Sequence, residues 1–227
     1  MRPPMPSRLE FALRNYPRLT SVPVLDVGCG LGRQLARFGP GSVGLDGRAA
    51  TTDEGRSVLQ WNFDDDIVGI LRAANLEPFE YVWCSDVFEH HPAPHLFLLN
   101  LRRALAEEGV LFLGVPLVNW LGRLPVLRGS SLLNYFRGFQ SQDHVNFFRM
   151  STLLPTVQFA GFRVESWYSP FLPLRRPPMI GLEPITVLAL RRISQFNYGP
   201  KAYKVLDADG NLKWKELSSY STREIPK

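Results

Sequence analysis

The residues able to do chemistry in this chain sit where its apolar runs end. Val24-Leu25-Asp26-Val27-Gly28-Cys29-Gly30-Leu31-Gly32 closes an apolar run on an acid and then on glycines at alternate positions. A buried parallel strand enters such a turn where backbone must approach a ligand closely, because glycine has no Cβ and accepts positive φ. A second run, Ser42-Val43-Gly44-Leu45-Asp46, ends on another acid about 20 residues after Asp26, where a doubly wound fold holds a carboxylate for ribose hydroxyls. Two phosphate-cradling readings fail on spacing. The dinucleotide fingerprint needs its third glycine where Arg33 stands, and no Gly-Lys-Ser/Thr closes the turn as a P-loop would. The two acids and the glycines therefore point to a ribose-bearing ligand without a pyrophosphate.

Other reactive side chains form two clusters. Ser85-Asp86-Val87 ends a fourth apolar run, where open α/β sheets bind ligands, and Glu89-His90-His91 follows at once. No metal site is expected here, because side chains adjacent in sequence diverge. The same argument removes Asp64-Asp65-Asp66, in which Asp65 and Asp66 read as solvated loop. His91 and His95 read as solvent-facing or as caps of the next helix. Cys29 and Cys84 fall in apparent core strands and behave as small buried hydrophobes of a reducing compartment.

These groups need a scaffold, and the chain has the length for one. It has 227 residues, 45% of them hydrophobic, enough to bury one full core. There is no apolar run of membrane-spanning length and no signal-peptide hydrophobic region, so a cytoplasmic protein is expected. The net charge of +5 is carried by scattered arginines, which disfavours nucleic acid as a partner.

Strands and helices alternate as a parallel α/β sheet requires. Residues 7–16 read as a short amphipathic helix, and strands follow at 23–27, 42–46, 58–61, 80–84 and 110–115. Leu31, Leu35 and Phe38 recur at helical spacing, predicting a helix directly after the glycines. A helix is expected over 95–106, ended by a turn at Glu107-Glu108-Gly109. Another runs from an N-cap near Ser151 to Gly161. Phe162–Tyr168 and Ile185–Leu190 read as the last two strands, and Lys204–Trp214 as an exposed hairpin.

In order and spacing, several segments resemble the class I S-adenosylmethionine-dependent methyltransferases, in their broad small-molecule branch. They are VLDVGCGLGRQL (24–35), VGLD (43–46), VLQWNFDDD (58–66), YVWCSDVFEHHPAP (81–94), LRRALAEEGVLFLGVP (101–116), and DHVNFF followed by LLPTVQFAGFRVESW (143–167). The resemblance implies a doubly wound, Rossmann-like seven-stranded sheet of order 3-2-1-4-5-7-6, its last strand antiparallel, with a helical lid insert after the fifth strand. The methyltransferase domain would span 1–198, with the insert at 117–149 and a polar extension at 199–227.

The cofactor implied is S-adenosylmethionine, and the product S-adenosylhomocysteine. Gly28, Cys29 and Gly30 would line the turn beneath the methionine moiety, and Asp26 would act from the strand end. Asp46 would accept from the ribose hydroxyls, with Gly47 beside it. Asn62 and Phe63 would flank the adenine; Asn62 replaces the family's acid, yet its side-chain oxygen still accepts from an amino group. Ser85, Asp86 and Val87 would pass beside the methionine and the transferable methyl. His90 matches a recurrent histidine of the family, and His144 opens a stretch that closes over the substrate side. These two are the candidate general bases.

The resemblance implies a small-molecule methyl acceptor, expected to react at oxygen; aromatic, lipid-linked and sugar intermediates all remain open. Transfer to nitrogen or carbon, and a catalytically silent binding protein on the same fold, are the alternatives. A nucleic-acid methyltransferase would more typically carry an Asn/Asp-Pro-Pro-aromatic tetrad where Ser85-Asp86-Val87-Phe88 stands. The segment 117–140 mixes leucines and aromatics with Arg123, Arg128 and Arg137 and contains no acid. That composition suits a lid over an amphiphilic acceptor, a weak contact with an anionic membrane surface, or a helical cap completing the core.

Overall fold

The computed structural model of the chain describes residues 7–48, 50–51, 55–117, 144–168, 185–193, 202–206 and 212–216. The strands are β1 (Val24–Val27), β2 (Val43–Asp46), β3 (Ala50–Thr51), β4 (Ser57–Gln60), β5 (Phe79–Ser85), β6 (Leu105–Pro116), β7 (Phe162–Tyr168) and β8 (Ile185–Arg192). A separate antiparallel pair, β9 (Ala202–Leu206) and β10 (Leu212–Glu216), lies beyond them. The helices are α1 (Arg8–Asn15), α2 (Ile67–Ala73), α3 (Pro94–Ala104) and α4 (Met150–Phe159).

The main sheet runs β3-β4-β2-β1-β5-β6-β8-β7. Without the two-residue β3, this is the order 3-2-1-4-5-7-6 expected from the sequence. β4, β2, β1, β5 and β6 pair in parallel, while β8 runs antiparallel to both β6 and β7. The short antiparallel β3 at the edge was not foreseen.

The central strands are apolar on both faces, as a sheet covered on both sides requires. Alternate residues feed opposite cores. Leu25, Val27, Leu45, Val82, Cys84, Leu111 and Leu113 pack with Ile67 and Leu71 of α2, Leu98 and Leu101 of α3, and Leu153 and Val157 of α4. Val24, Val58, Tyr81, Trp83, Val110 and Phe112 face the other way, onto Ala12 of α1, Leu19, Leu35 and Phe38. The helix α1 starts on a capping box in which Ser7 and Glu10 satisfy each other's backbone N–H. Among the described residues no helix is long and apolar enough to cross a membrane.

Three expectations are corrected. The helix after the glycines is only a 3-10 turn at Leu35–Arg37. Gly30 and Gly32 both hold positive φ, at 57° and 73°, so the chain cannot enter a right-handed helix there, and Leu31 is 81% exposed. Glu107-Glu108-Gly109 does not form a turn; these residues lie within β6, next to a register shift opposite β5. Arg149, not Ser151, caps α4, where Thr152 Oγ1 accepts from the Arg149 N–H at 3.0 Å. Gly161 does follow that helix with φ of 80°. The insert after β6 and the proline-rich loop between β7 and β8 lie outside the described residues, apart from their ends.

Candidate active site

The carboxyl ends of β1, β2, β4 and β5 converge on one opening, where the parallel strands leave backbone groups unpaired. A cavity of about 530 Å³ lies there, lined by Gly28, Asp46, Gly47, Trp61, Asn62, Phe63, Asp64, Asp86, Val87 and His90. Its size is in the usual range for small-molecule sites.

Each wall has a local cause. The Gly28 and Cys29 N–H groups both donate to Leu45 O, at 2.8 and 3.2 Å, which folds the glycine turn over the end of β2. The Gly30 N–H donates to Asp46 Oδ2 at 2.8 Å, so this carboxylate already holds the turn. Gly28 has φ of 73°, and a Cβ there would lie 2.1 Å from Val87 Cγ2. Glycine is therefore required at this position by both conformation and space. At Gly30, with φ of 57°, an added Cβ would meet no atom of the described residues within 4 Å, so the backbone there borders space open among them.

Asp26 lies beneath the turn, 3% exposed, and its carboxyl is pushed up to about 7 by burial and by the nearby charge of Asp46. Cys29 is half-buried on the turn rather than in a strand; its sulfur packs on Gly44, and burial with the two aspartates raises its thiol to about 12. It is thus a packing residue with no nucleophilic character.

On the far wall, Asp65 Oδ2 accepts from both the backbone N–H and the side-chain Nδ2 of Asn62, at 2.7 and 3.3 Å. Fixing the amide nitrogen in this way leaves the Asn62 oxygen as the acceptor that faces a ligand. Asp65 and Asp66 are therefore not simply solvated: Asp66 pairs with Arg103 at 3.2 Å and stands at the N-cap of α2. Phe63 is 37% exposed on the cavity wall. Trp61, absent from the sequence reading, forms its floor at 4% exposure, edge-on to Phe63 and stacked on Phe97. The only signal for it was its place at the end of β4, beside Asn62 and Phe63.

Asp86 sits at φ of 61°, unusual for a non-glycine residue, and is held by Arg8 of α1 through two hydrogen bonds of 3.0 and 2.5 Å. Ser85 Oγ also donates to Asp86, at 3.0 Å. Arg8 closes this side of the mouth from 78 positions away. Nothing local in the sequence marks it.

Past Val87, the chain forms a 3-10 turn, Phe88–His90, from which His90 and His91 diverge as expected, His90 toward His144 and His91 toward Phe97. Glu89 and His90 both reach His144: Glu89 Oε1 lies 3.9 Å from His90 Nε2 and 3.8 Å from His144 Nε2. The two imidazoles meet edge to face, with centroids 4.7 Å apart. Glu89 is 1% exposed and its carboxyl is pushed up to about 7, chiefly by burial. The ligand-type atoms of these three residues lie within 4.8 Å of one another, a composition open to a cation or to proton exchange. The segment carrying His144 is fastened here by backbone: Glu89 O accepts from the Val145 and Asn146 N–H groups at 3.1 and 2.9 Å, and His91 O from Asn146 Nδ2 at 2.6 Å.

His91 does not face solvent; it is 5% exposed and stacked on Phe97. Its Nδ1 accepts from the N–H of Ala93, the N-cap of α3, so Nε2 carries the proton and donates to Phe63 O at 3.1 Å. Burial lowers its pKa, and it serves as a neutral strut between two walls of the cavity.

The structure thus gathers Gly28, Asp46, Gly47, Asn62, Phe63, Asp86, Val87 and His90 around one cavity. Asp26, Cys29, Gly30 and Ser85 stand outside that lining: Asp26 lies buried beneath the turn, and Gly30 and Ser85 bond to the lining aspartates. His144 stands behind His90, its side chain 9% exposed. The acids Asp46, Asp64 and Asp86 on the lining, the space beside Gly30 and the aromatic far wall suit a cationic, ribose- and purine-bearing ligand such as S-adenosylmethionine.

Comparison with known proteins agrees. A family profile described as "Methyltransferase domain" matches residues 3–166. The ubiquinone biosynthesis O-methyltransferase of Actinobacillus pleuropneumoniae serotype 5b is 29% identical over 119 residues, which are 47% of this chain and 51% of that one. The chain thus spans about half the length of that relative. The enzyme of the same description from Serratia proteamaculans is 27% identical over 191 residues, covering 80% of this chain and 74% of that one. Among solved structures, the Burkholderia thailandensis 1,6-didemethyltoxoflavin-N1-methyltransferase, with bound 1,6-didemethyltoxoflavin and S-adenosylhomocysteine, superposes with a TM-score of 0.52 at 16% identity. That superposition covers 83% of this chain and 78% of that one.

Proposed function

We propose that this chain, which belongs to the methyltransferase-domain family, is an S-adenosylmethionine-dependent methyltransferase that acts on a hydroxyl oxygen of a small, largely apolar acceptor. One observation carries this reading: an imidazole, His90, stands on the wall of the cavity that the donor-binding residues line, backed by His144. When bound, S-adenosylmethionine supplies a methyl group activated by its sulfonium. Asp46 would take the ribose hydroxyls, Asn62 and Phe63 the adenine, and the Gly28–Gly30 turn, with Asp26 beneath it, the methionine end.

The protein then has two tasks: to hold the acceptor oxygen in line, and to accept its proton. Val145 and Phe147, which follow His144, are 58% and 55% exposed, and offer an apolar surface beside the histidines. The segment 117–140, which beyond Leu117 lies outside the described residues, is proposed to gate the acceptor. The two ubiquinone biosynthesis relatives are named as O-methyltransferases, which favours oxygen over nitrogen or carbon.

The test is transfer of an isotopically labelled methyl from S-adenosylmethionine to extracted metabolites, with products read by mass spectrometry. A labelled methyl ether supports the proposal. A labelled amine or carbon-methyl product contradicts it.

A further inference from the structure

We infer that Glu89 joins His90 and His144 into a single proton-holding unit, in which one buried carboxyl serves both imidazoles. The inference rests on the oxygen-transfer reading above and adds where the proton goes. Methylating a hydroxyl replaces an O–H bond with an O–C bond, the S–C bonding pair stays on sulfur, and one proton is left over. His90 borders the cavity and its side chain is 27% exposed, so it can both receive that proton and return it to water.

The geometry behind His90 is unusual. Glu89 and His144 belong to segments fastened to each other by backbone hydrogen bonds, which keep the two backbones side by side. A single oxygen, Glu89 Oε1, faces both Nε2 atoms at 3.9 and 3.8 Å, just beyond hydrogen-bond length. The other oxygen, Oε2, is buried and has no hydrogen-bond partner among the described residues. A carboxyl buried in this way is costly as an isolated charge and gains from an imidazolium beside it. Protonating either ring therefore favours the carboxylate, and the carboxylate favours only one further proton on the pair, since two imidazoliums 4.7 Å apart would repel.

The other titratable groups near Glu89 pull in opposite directions. Asp86 on its own segment opposes the carboxylate and Arg8 of α1 favours it, while Cys84 of β5 stays a thiol because burial and these acids raise it well above the ordinary range. Burial leaves the carboxyl near neutrality, where it can exchange a proton with imidazole. Glu89 is in this account a positioning residue that touches no substrate.

Histidine NMR tests the inference without any acceptor, so its outcome is separate from the identity of the methylated atom. The chain has only four histidines, and His91 and His95 serve as internal controls. In the wild-type protein, His90 and His144 should give linked, two-step titration curves. Glu89→Gln, which keeps the shape of the side chain, should move both curves, the effect of removing a facing negative charge. His144→Gln should move the titration of His90, while His91 and His95 stay in place. Magnesium chloride should leave all the curves unchanged. Independent single-step curves at His90 and His144, unmoved by Glu89→Gln, would overturn the inference. So would magnesium abolishing both titrations, since the cluster would then be a cation site.

Discussion

The sides of the cavity proposed for the donor and for the acceptor are built in different ways. On the donor side, the ligand-facing groups are backbone and short side chains at successive strand ends, and hydrogen bonds such as Gly30 N–H to Asp46 already hold them. On the acceptor side, the reactive groups come from segments far apart, joined by contacts such as Asn146 to His91 across 55 positions. The comparison separates two requirements of methyl transfer. Donor binding needs a fixed cradle that is common to every acceptor. Acceptor chemistry needs a cluster that can be re-tuned without disturbing that cradle.

Changes that break only one side should separate the two. The largest effect is expected from Gly28→Val, which places a Cβ against Val87 at a positive φ. It should weaken S-adenosylmethionine binding about 100-fold or more, because left-handed strain of roughly 1–2 kcal/mol adds to the clash. Calorimetric titration of folded protein checks this; near-native affinity would mean that the turn does not form the cradle.

The mirror-image experiment replaces 118–140 with a short Gly/Ser segment. Methyl transfer should be lost while donor affinity stays within about twofold, if the segment gates the acceptor and not the donor as proposed. Unchanged transfer would remove the lid role, and an unfolded product would show that the segment completes the core.

A smaller loss is expected for Asp46→Ala, which removes a carboxylate that holds the Gly30 N–H and would meet the ribose. Donor affinity should fall by about 1.5–3 kcal/mol, the usual worth of a charge-assisted hydrogen bond. The acceptor-side histidine titrations should not move.

The smallest effect is on pH dependence. Asp26 is raised to about 7, so between the ordinary carboxylate range and that value the folded chain keeps a proton that the unfolded chain has lost. Its contribution to stability is therefore fully present below that window and disappears as pH rises through about 7. Asp26→Asn should flatten this slope in thermal melts of the donor-free protein. A cationic donor favours the carboxylate, so donor binding should release a proton and weaken several-fold as pH falls from about 7 to 6. Calorimetry in buffers of different ionisation enthalpy reads that proton directly, and the absence of release would place Asp26 outside the donor's field.

That Gly28, Asp46, Gly47, Asn62, Phe63, Asp86 and Val87 share one cavity was largely legible in the sequence, because its signals are local. Glycines at alternate positions, an acid at each strand end and apolar strands buried on both faces are all read within a few residues of one another. The misreadings arose where a local rule met a competing local one. Leu31, Leu35 and Phe38 have helical spacing, yet positive φ at Gly30 and Gly32 leaves only a 3-10 turn. His90 and His91 diverge as expected, but the turn at 88–90 brings Glu89 and His90 toward His144, 54 positions further on from His90, a juxtaposition no local pattern shows. Arg8 on Asp86 could not have been read from the sequence, because tertiary packing alone brings α1 to the mouth of the cavity.

The most direct test of the account follows labelled methyl from S-adenosylmethionine into extracted metabolites, comparing wild-type protein with Asp46→Ala at equal folded concentration. The account predicts S-adenosylhomocysteine formed together with a labelled methyl ether, and both reduced about 10-fold or more in the variant at donor concentrations below saturation. Labelled product on nitrogen or carbon, or equal turnover by the variant, would contradict it.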